Sequence, residues 1–203
     1  MTLKKPADAN HPIHDLIRNR WSPRAFTGKP VAKATLLTVL EAARWSASSN
    51  NGQPWAFILA TREDAAEHQR IVDCLMPGNQ GWAKNAPVLL LTFVRGEWET
   101  EARPNRTAQH DVGLAAANLC LQAEAEGLVT HQMAGIDTGK IRESYDVPAV
   151  YEPMSAIAIG YQGETEDLDD ETMREREVAP RVRKALPEFV FSGKFGASSP
   201  LVG

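Results

Sequence analysis

Two kinds of apolar pattern alternate along the chain. Short, nearly unbroken runs read as strands: "WAFILA" at 55–60, "PVLLLTFV" at 87–94, "LVTHQM" at 128–133 and "SAIAIGY" at 155–161. Turn-forming residues precede the first, which reads as a buried strand. The second is so poor in polar positions that both of its faces must be covered. The segments between them have helical spacing. In "KATLLTVLEAARW", Leu36, Val39, Leu40 and Ala43 recur on one face. "REDAAEHQRIVDCL" opens on acidic residues and carries Ile71, Val72 and Leu75, which predicts another helix. Thr107 to Glu126 is long and rich in alanine and leucine, with a wide apolar stripe that puts it in the core. It stops at Gly127, a residue suited to ending a helix. His14 to Asn19 and "GKIRESY" at 139–145 read as short helices. Four strands separated by helices predict a sheet sandwiched between helical layers.

The pattern changes at Gly163. "ETEDLDDETMREREVAPRVRK" is acidic, then basic, and apolar residues are few until "ALPEFVF". Such a tail cannot build a core of its own, so it is expected to lie across this domain or a second copy of the chain. Residues 1–163 are therefore expected to form the core and 164–203 an extension of the same domain.

Bulk properties narrow the class. A chain of 203 residues can bury one sizeable core, and 43% hydrophobic with 24% charged residues is ordinary for a globular protein. A formal net charge of -4 argues against nucleic acid as a general partner. The two cysteines, Cys74 and Cys120, sit in apolar helical contexts and read as reduced core thiols, which favours a reducing, cytoplasmic setting. The start carries two lysines with no apolar run after them, unlike a signal peptide, and no apolar segment is long enough to span a bilayer, so no membrane partner is expected.

Several familiar motifs are missing or fail. No G-x-G-x-x-G follows a strand, and "AGIDTGKI" has Ile141 where a phosphate-binding loop needs a hydroxyl. His11 and His14 have no cysteine or acid placed as a metal partner and read as solvated residues at a helix start. His110 and Asp111 are adjacent on a helix and do not face each other, so they are not a catalytic pair.

Three clusters exceed what folding needs. In "RNRWSPRAF", Arg20, Ser22 and Arg24 flank Trp21 and Pro23, and Pro23 holds Ser22 in an extended conformation. Alternation then puts the three side chains on one side, where two guanidinium forks around a hydroxyl suit a phosphate. The competing reading is a surface loop whose arginines pair with acids. "ASSNNGQPW" sets Ser48, Ser49, Asn50, Asn51 and Gln53 directly before a strand. Their amides and hydroxyls match a ligand edged with carbonyls and N–H groups; the alternative is a turn with capping side chains. "HQMAGID" at 131–137 follows a strand, and Ala134 and Gly135 are small enough for a ligand to approach the backbone. The basic "RVR" at 181–183 and Lys194 can add positive charge to the same anion or stand solvated.

In their order and spacing, "RxSxRAF", a helix, "SSxNxQPWxF", "HQMAGID" and a basic tail resemble the FMN-dependent nitroreductase family, from about Ile17 to about Gly196. The resemblance implies an α+β fold with a central mixed β-sheet flanked by helices. It also implies a homodimer with FMN at the interface and a C-terminal extension wrapping the partner subunit. Position by position, it assigns Arg20, Ser22 and Arg24, with Trp21 among them, to the phosphate and ribityl chain. It assigns Ser48, Ser49 and Asn51, with Gln53 close by, to a stretch reaching the flavin from the opposite subunit. Met133, Ala134 and Gly135, with Gln132 beside them, match a backbone segment along the ring. Arg183 matches a basic residue on the phosphate, with Arg181 and Lys194 as its competitors. Ala47 stands where the family often has proline, and "GEWETEARPNR" is short where larger members insert helices over the substrate pocket, which implies a more open pocket here.

The implied activity is hydride transfer from NAD(P)H through FMN to nitroaromatic, quinone or related small-molecule acceptors, in ping-pong fashion. The flavin carries the chemistry, so no side chain is expected to act as acid, base or nucleophile. Two other readings share the same residues: a flavin enzyme of the same fold performing ene reduction, dehalogenation or flavin handling, and a protein that stores FMN without turning it over or acts as an interaction domain.

Overall fold

The computed structural model describes residues 2–101 and 103–202. Met1 in the lysine-bearing start, Ala102 in the short middle region and Gly203 at the end of the extension lie outside the described residues.

A four-stranded sheet in the order β1-β2-β4-β3 is formed by β1 (Trp55–Thr61), β2 (Val88–Arg95), β3 (Val129–Met133) and β4 (Tyr151–Gly160). The α+β architecture is as expected, but every pairing is antiparallel where a mixed sheet was expected. The reason lies in the connections. The helices α3 (Ala65–Asp73) and α4 (Pro77–Ala83) carry the chain out and back, so β2 starts beside the end of β1. The 18-residue helix α5 (Ala108–Ala125) is a crossover of the length that joins parallel strands. β2 and β3 do run the same way, but β4 inserts between them and pairs antiparallel with both.

The side-chain alternation of the two central strands explains their unbroken apolar runs. Leu89, Leu91 and Phe93 of β2, with Ala156 and Ala158 of β4, point into one layer with Ile71, Val72, Leu75, Trp82 and Ile141. That layer is built from α3, α4 and α6 (Thr138–Tyr145). Val88 and Leu90 of β2, with Ile157 and Ile159 of β4, point into the other. There they meet α2 (Lys33–Arg44) through Leu36, Val39 and Ala43, and α5 through Ala115, Ala116, Leu119 and Ala123. The strand β1 is an edge, so its residues are mostly half-buried and not enclosed as its apolar run predicts. Between Thr92 and Phe93 the register with β4 shifts, and Thr92 Oγ1 accepts the Ser155 N–H at 3.1 Å.

Helix boundaries follow local chemistry. His14 caps α1 (Asp15–Asn19) by accepting the Leu16 N–H on Nδ1, so this histidine is a capping residue on the surface. Gly127 takes a φ of 72° just past the end of α5, as its role at a helix terminus requires. Two helices have no apolar stripe to announce them: α4, and α7 (Glu171–Val178) in the extension. Cys74 and Cys120 are free and buried. Among the described residues no helix is long and apolar enough to cross a membrane, and no cluster of three or more His, Cys, Asp or Glu is placed to hold a metal.

Candidate functional site

The arginine cluster lies on a loop that wraps the β3 edge of the sheet. Trp21, Ala25 and Phe26 anchor it in the interior, and Phe26 forms a bridge with Gln162 just beyond β4. Trp21 is 7% exposed, and the Lys5 ammonium lies over its ring, 4.6 Å from the centroid. Trp21 therefore serves as the anchor that lets its neighbours project. Arg20, Ser22 and Arg24 are all half-buried, as alternation predicts, and Arg20 Nη1 donates to Ser22 Oγ at 3.5 Å. The two arginines differ in their partners. The Arg24 guanidinium lies 3.7 Å from the buried Glu177 carboxylate. Among the described residues, no carboxylate comes within the 4.0 Å of an ion pair to Arg20. Arg20 thus has no ion pair of this kind, although the Glu124 carboxylate on α5 lies within its electrostatic field.

Behind this loop lies the end of β3. His131 donates Nδ1–H to the Pro23 carbonyl at 3.0 Å, and its ring centroid is 4.5 Å from that of Trp82. Burial, opposed by its backbone hydrogen bonds and reinforced by Arg24 and Arg20, pulls its pKa down to about 4, so the imidazole is neutral. Gln132 points the other way, towards α5, with Nε2 3.4 Å from Cys120 Sγ. Arg20 acts electrostatically on that same thiol, which places Gln132 and Arg20 in one neighbourhood. Met133 is 3% exposed and packs in the core, so only its backbone can face a ligand. Ala134 is exposed. At Gly135 the close approach is made within the chain: Asn79 Nδ2 donates to the Gly135 carbonyl at 3.0 Å and would lie 2.5 Å from a Cβ.

The basic tail divides. Arg181 donates to the carbonyls of Lys5 (2.5 Å) and Arg18 (3.0 Å), and it faces Arg20. Burial, then the charges of Arg20 and Arg183, pull Arg181 below the ordinary arginine range. Arg183 is exposed and donates to the carbonyl of Val182. Lys194 sits in an exposed turn closed by the Ala197 N–H on its own carbonyl at 3.1 Å. Of the three, Arg181 is the one in the electrostatic field of Arg20, and Arg183 acts on Arg181 in turn.

The amide cluster lies at the opposite edge, before β1. Asn50, Asn51 and Gln53 have φ of 47°, 54° and 43°, left-handed values that cost roughly 1–2 kcal/mol for a residue with a Cβ. Strain of this kind concentrates where function fixes the backbone. Two backbone turns, Asn51 N–H to the Ser48 carbonyl and Gly52 N–H to the Ser49 carbonyl, and three side-chain contacts hold it. The Ser49 N–H donates to the buried Asp111 carboxylate at 3.1 Å, the Gln53 N–H donates to Ser48 Oγ at 3.1 Å, and Gln53 Nε2 donates to the Asn51 carbonyl at 3.1 Å. Trp98 lies over Gly52, where an added Cβ would meet its ring at 2.8 Å. Asn51 and Gln53 are exposed and Ser48 and Ser49 half-buried, so their polar groups lie at the surface beside the strand.

Within one protomer the two clusters are separated by the full width of the sheet, β1 at one edge and β3 at the other. With strands about 4.8 Å apart, that is three spacings, or about 14 Å. Hollows of about 210 Å³, lined by Gly28, Val31, Arg62 and Pro87 among others, and about 180 Å³, beside Trp82 and Met173, lie away from both clusters. Each is smaller than the roughly 300–1,000 Å³ of ligand pockets. A wide depression of about 550 Å³ under Pro6, Asp8 and Asp15 has carboxylates on its rim. Three residues that organise these walls, Glu177, Asp111 and Trp98, were not singled out for this role from the sequence. Asp111 alone carries a signal, a carboxylate in the first turn of the long core helix.

The chain is similar to known proteins over most of its length. A sequence model described as the nitroreductase family matches residues 17–161. An uncharacterised 15.4 kDa protein of Mycolicibacterium smegmatis is 33% identical over 138 residues, 67% of this chain and 90% of its own length. The NAD(P)H FMN reductase of Bacillus subtilis is 28% identical over 169 residues, 75% of this chain and 66% of that protein. A crystal structure described as an oxidoreductase containing FMN superposes with a TM-score of 0.87 at 37% identity, covering 98% of this chain and 100% of that one.

Proposed function

Because the chain belongs to the nitroreductase family, we propose that it is a homodimeric FMN-dependent oxidoreductase that moves hydride from NAD(P)H to nitroaromatic, quinone or related acceptors in ping-pong fashion. The observation that carries the reading is Arg20, half-buried, in the electrostatic field of Arg181, with no carboxylate in ion-pair contact among the described residues and Glu124 acting on both arginines without pairing with either. Two neighbouring guanidiniums, half-buried and without a directly paired carboxylate, attract an anion, and a phosphomonoester fits their forked donors.

The residues present fit FMN. Arg20 and Ser22, with Arg24 shared between ligand and Glu177, would hold the phosphate and ribityl chain, assisted by Arg181 and Arg183. Gln132 and the backbone of Met133, Ala134 and Gly135 would lie along the ring. Ser48, Ser49, Asn51 and Gln53 would close the site from a second copy of the chain, since the sheet keeps them from the arginine loop of their own protomer. When bound, the flavin supplies the hydride relay, and the chain orients it and excludes water. No dinucleotide fold is needed, because a nicotinamide has only to stack on the flavin and leave.

An absorbance spectrum of the freshly purified protein, taken before and after anaerobic NADH and NADPH, tests the reading. A yellow protein bleached within seconds by either donor is the expected result. A yellow protein bleached by neither favours flavin storage, and a colourless protein that FMN cannot reconstitute rules the assignment out.

A further inference from the structure

Glu177 lies in the last turn of α7, in the extension and outside the stretch matched by the family, yet its side chain is 1% exposed and bonded to the arginine loop. Its carboxylate accepts the Arg24 N–H at 2.8 and 3.0 Å and the Ala25 N–H at 3.2 Å, and sits 3.7 Å from the Arg24 guanidinium. From outside, Lys5 Nζ donates to the Glu177 carbonyl at 2.7 Å.

A buried carboxylate needs partners for its lone pairs, and among the described residues these are the groups that supply them. Surface contact of α7 with the body would be satisfied by apolar residues. What this arrangement does instead is fix a backbone. The Pro23 carbonyl is bonded to His131 and the next two N–H groups to Glu177, so the stretch that ends the R-x-S-x-R motif is held from β3 on one side and from α7 on the other. The direction in which Ser22 and Arg20 project depends on that backbone.

We propose that Glu177 is a positioning residue for the phosphate end of the cofactor site, acting through the Arg24–Ala25 backbone. The proposal rests on the FMN reading above. It makes the extension part of the anion site's scaffold: α7 must be docked for the arginine loop to present its donors.

Riboflavin shares every group of FMN except the phosphate, so the pair isolates the loop's contribution. The experiment measures the dissociation constants of both flavins by fluorescence quenching for apo-protein of the wild type and of Glu177→Gln, which puts an amide N–H₂ against two N–H donors. The expected result is an FMN constant raised at least about ten-fold with the riboflavin constant changed less than about three-fold. An equal loss for both flavins marks a merely structural role and overturns the proposal, as does an unchanged or tighter FMN constant. Should Glu177→Gln not fold, Lys5→Met removes only the clamp on the Glu177 carbonyl and must show the same bias against FMN; its absence overturns the proposal. A wild type that binds neither flavin defeats the FMN reading itself and the proposal with it.

Discussion

His131 has its ring against Trp82 and its Nδ1–H on the Pro23 carbonyl, a bond that either protonation state can make, so it is burial that disfavours the charged ring. Burial holds its pKa down near 4, and the positive charges of Arg24 and Arg20 push the same way. The unfolded chain takes up a proton at the ordinary histidine value near 6.5, the folded protein only near 4. Between those values the unfolded state binds more protons, so stability falls as pH drops from about 6.5 to about 4, by an amount on the order of 3 kcal/mol. Above about 6.5 the group contributes no slope. Urea unfolding midpoints at pH 7, 6, 5 and 4.5 measure this, with His131→Asn as the reference because an amide can still donate to Pro23. The wild type is expected to lose stability more steeply than the variant over that window; parallel curves would mean that His131 is not the titrating group. The histidine was visible in the sequence as part of "HQMAGID", but its role was not, because contact with Pro23 spans 108 residues of chain. The same holds for Glu177, whose bonds to Arg24 span 153: one glutamate among the many of an acidic run carries no mark of being the buried one.

The central strand β2 sets the stability of the element layer. Seven of its eight residues, Val88 to Val94, are buried, alternating between the two helical layers. Leu90 is fully buried among Ala115, Leu119 and Ile157, and α2 and α5 already pack tightly against each other there. Leu90→Ala is therefore expected to cost about 2–5 kcal/mol, from lost burial and a cavity the helices cannot close. Chemical denaturation checks it, and a loss below about 1 kcal/mol would mean that the layers collapse around the gap. Elements of this kind were legible because burial on both sides writes itself into the residues: β2, β4, α2 and α5 all appear as apolar runs or stripes. The helix α4, "PGNQGWA", was not, because its start is set by Pro77 and its docking by Trp82, with no repeating stripe between. Nor was α7, whose "ETMREREV" is nearly all charged and is tied down by Glu177. Strand direction was illegible for a different reason. Alternating strands and helices look alike whether a connection crosses over or returns, and the insertion of β4 between β2 and β3 is decided by packing.

At the scale of the molecule, the extension carries apolar surface that the protomer leaves uncovered: Phe195 is 91% exposed, Leu201 89% and Phe189 55%. On the body, Trp45 at the end of α2 is 74% exposed and Leu37 on the same helix 56%. Large apolar side chains gathered on one arm and on one helix, in a chain whose two candidate walls stand at opposite sheet edges, have a common resolution. The proposed two-fold partner would cover both surfaces and bring the amide loop of one copy to the arginine loop of the other. Under that proposal, dimerisation and flavin binding would be one equilibrium. Replacing Phe189 and Phe195 together by serine removes apolar burial worth about 1.5–3 kcal/mol per ring, four rings per dimer. The expected outcome is at least about a hundred-fold weaker dimer by sedimentation equilibrium, with FMN lost in parallel as protein is diluted. Because neither phenylalanine is among the residues assigned to the flavin, flavin loss that tracks the monomer fraction points to an interface site. A variant that is monomeric and still holds FMN at wild-type affinity would place the whole site within one chain, and the separation of the two walls across the sheet would need another explanation.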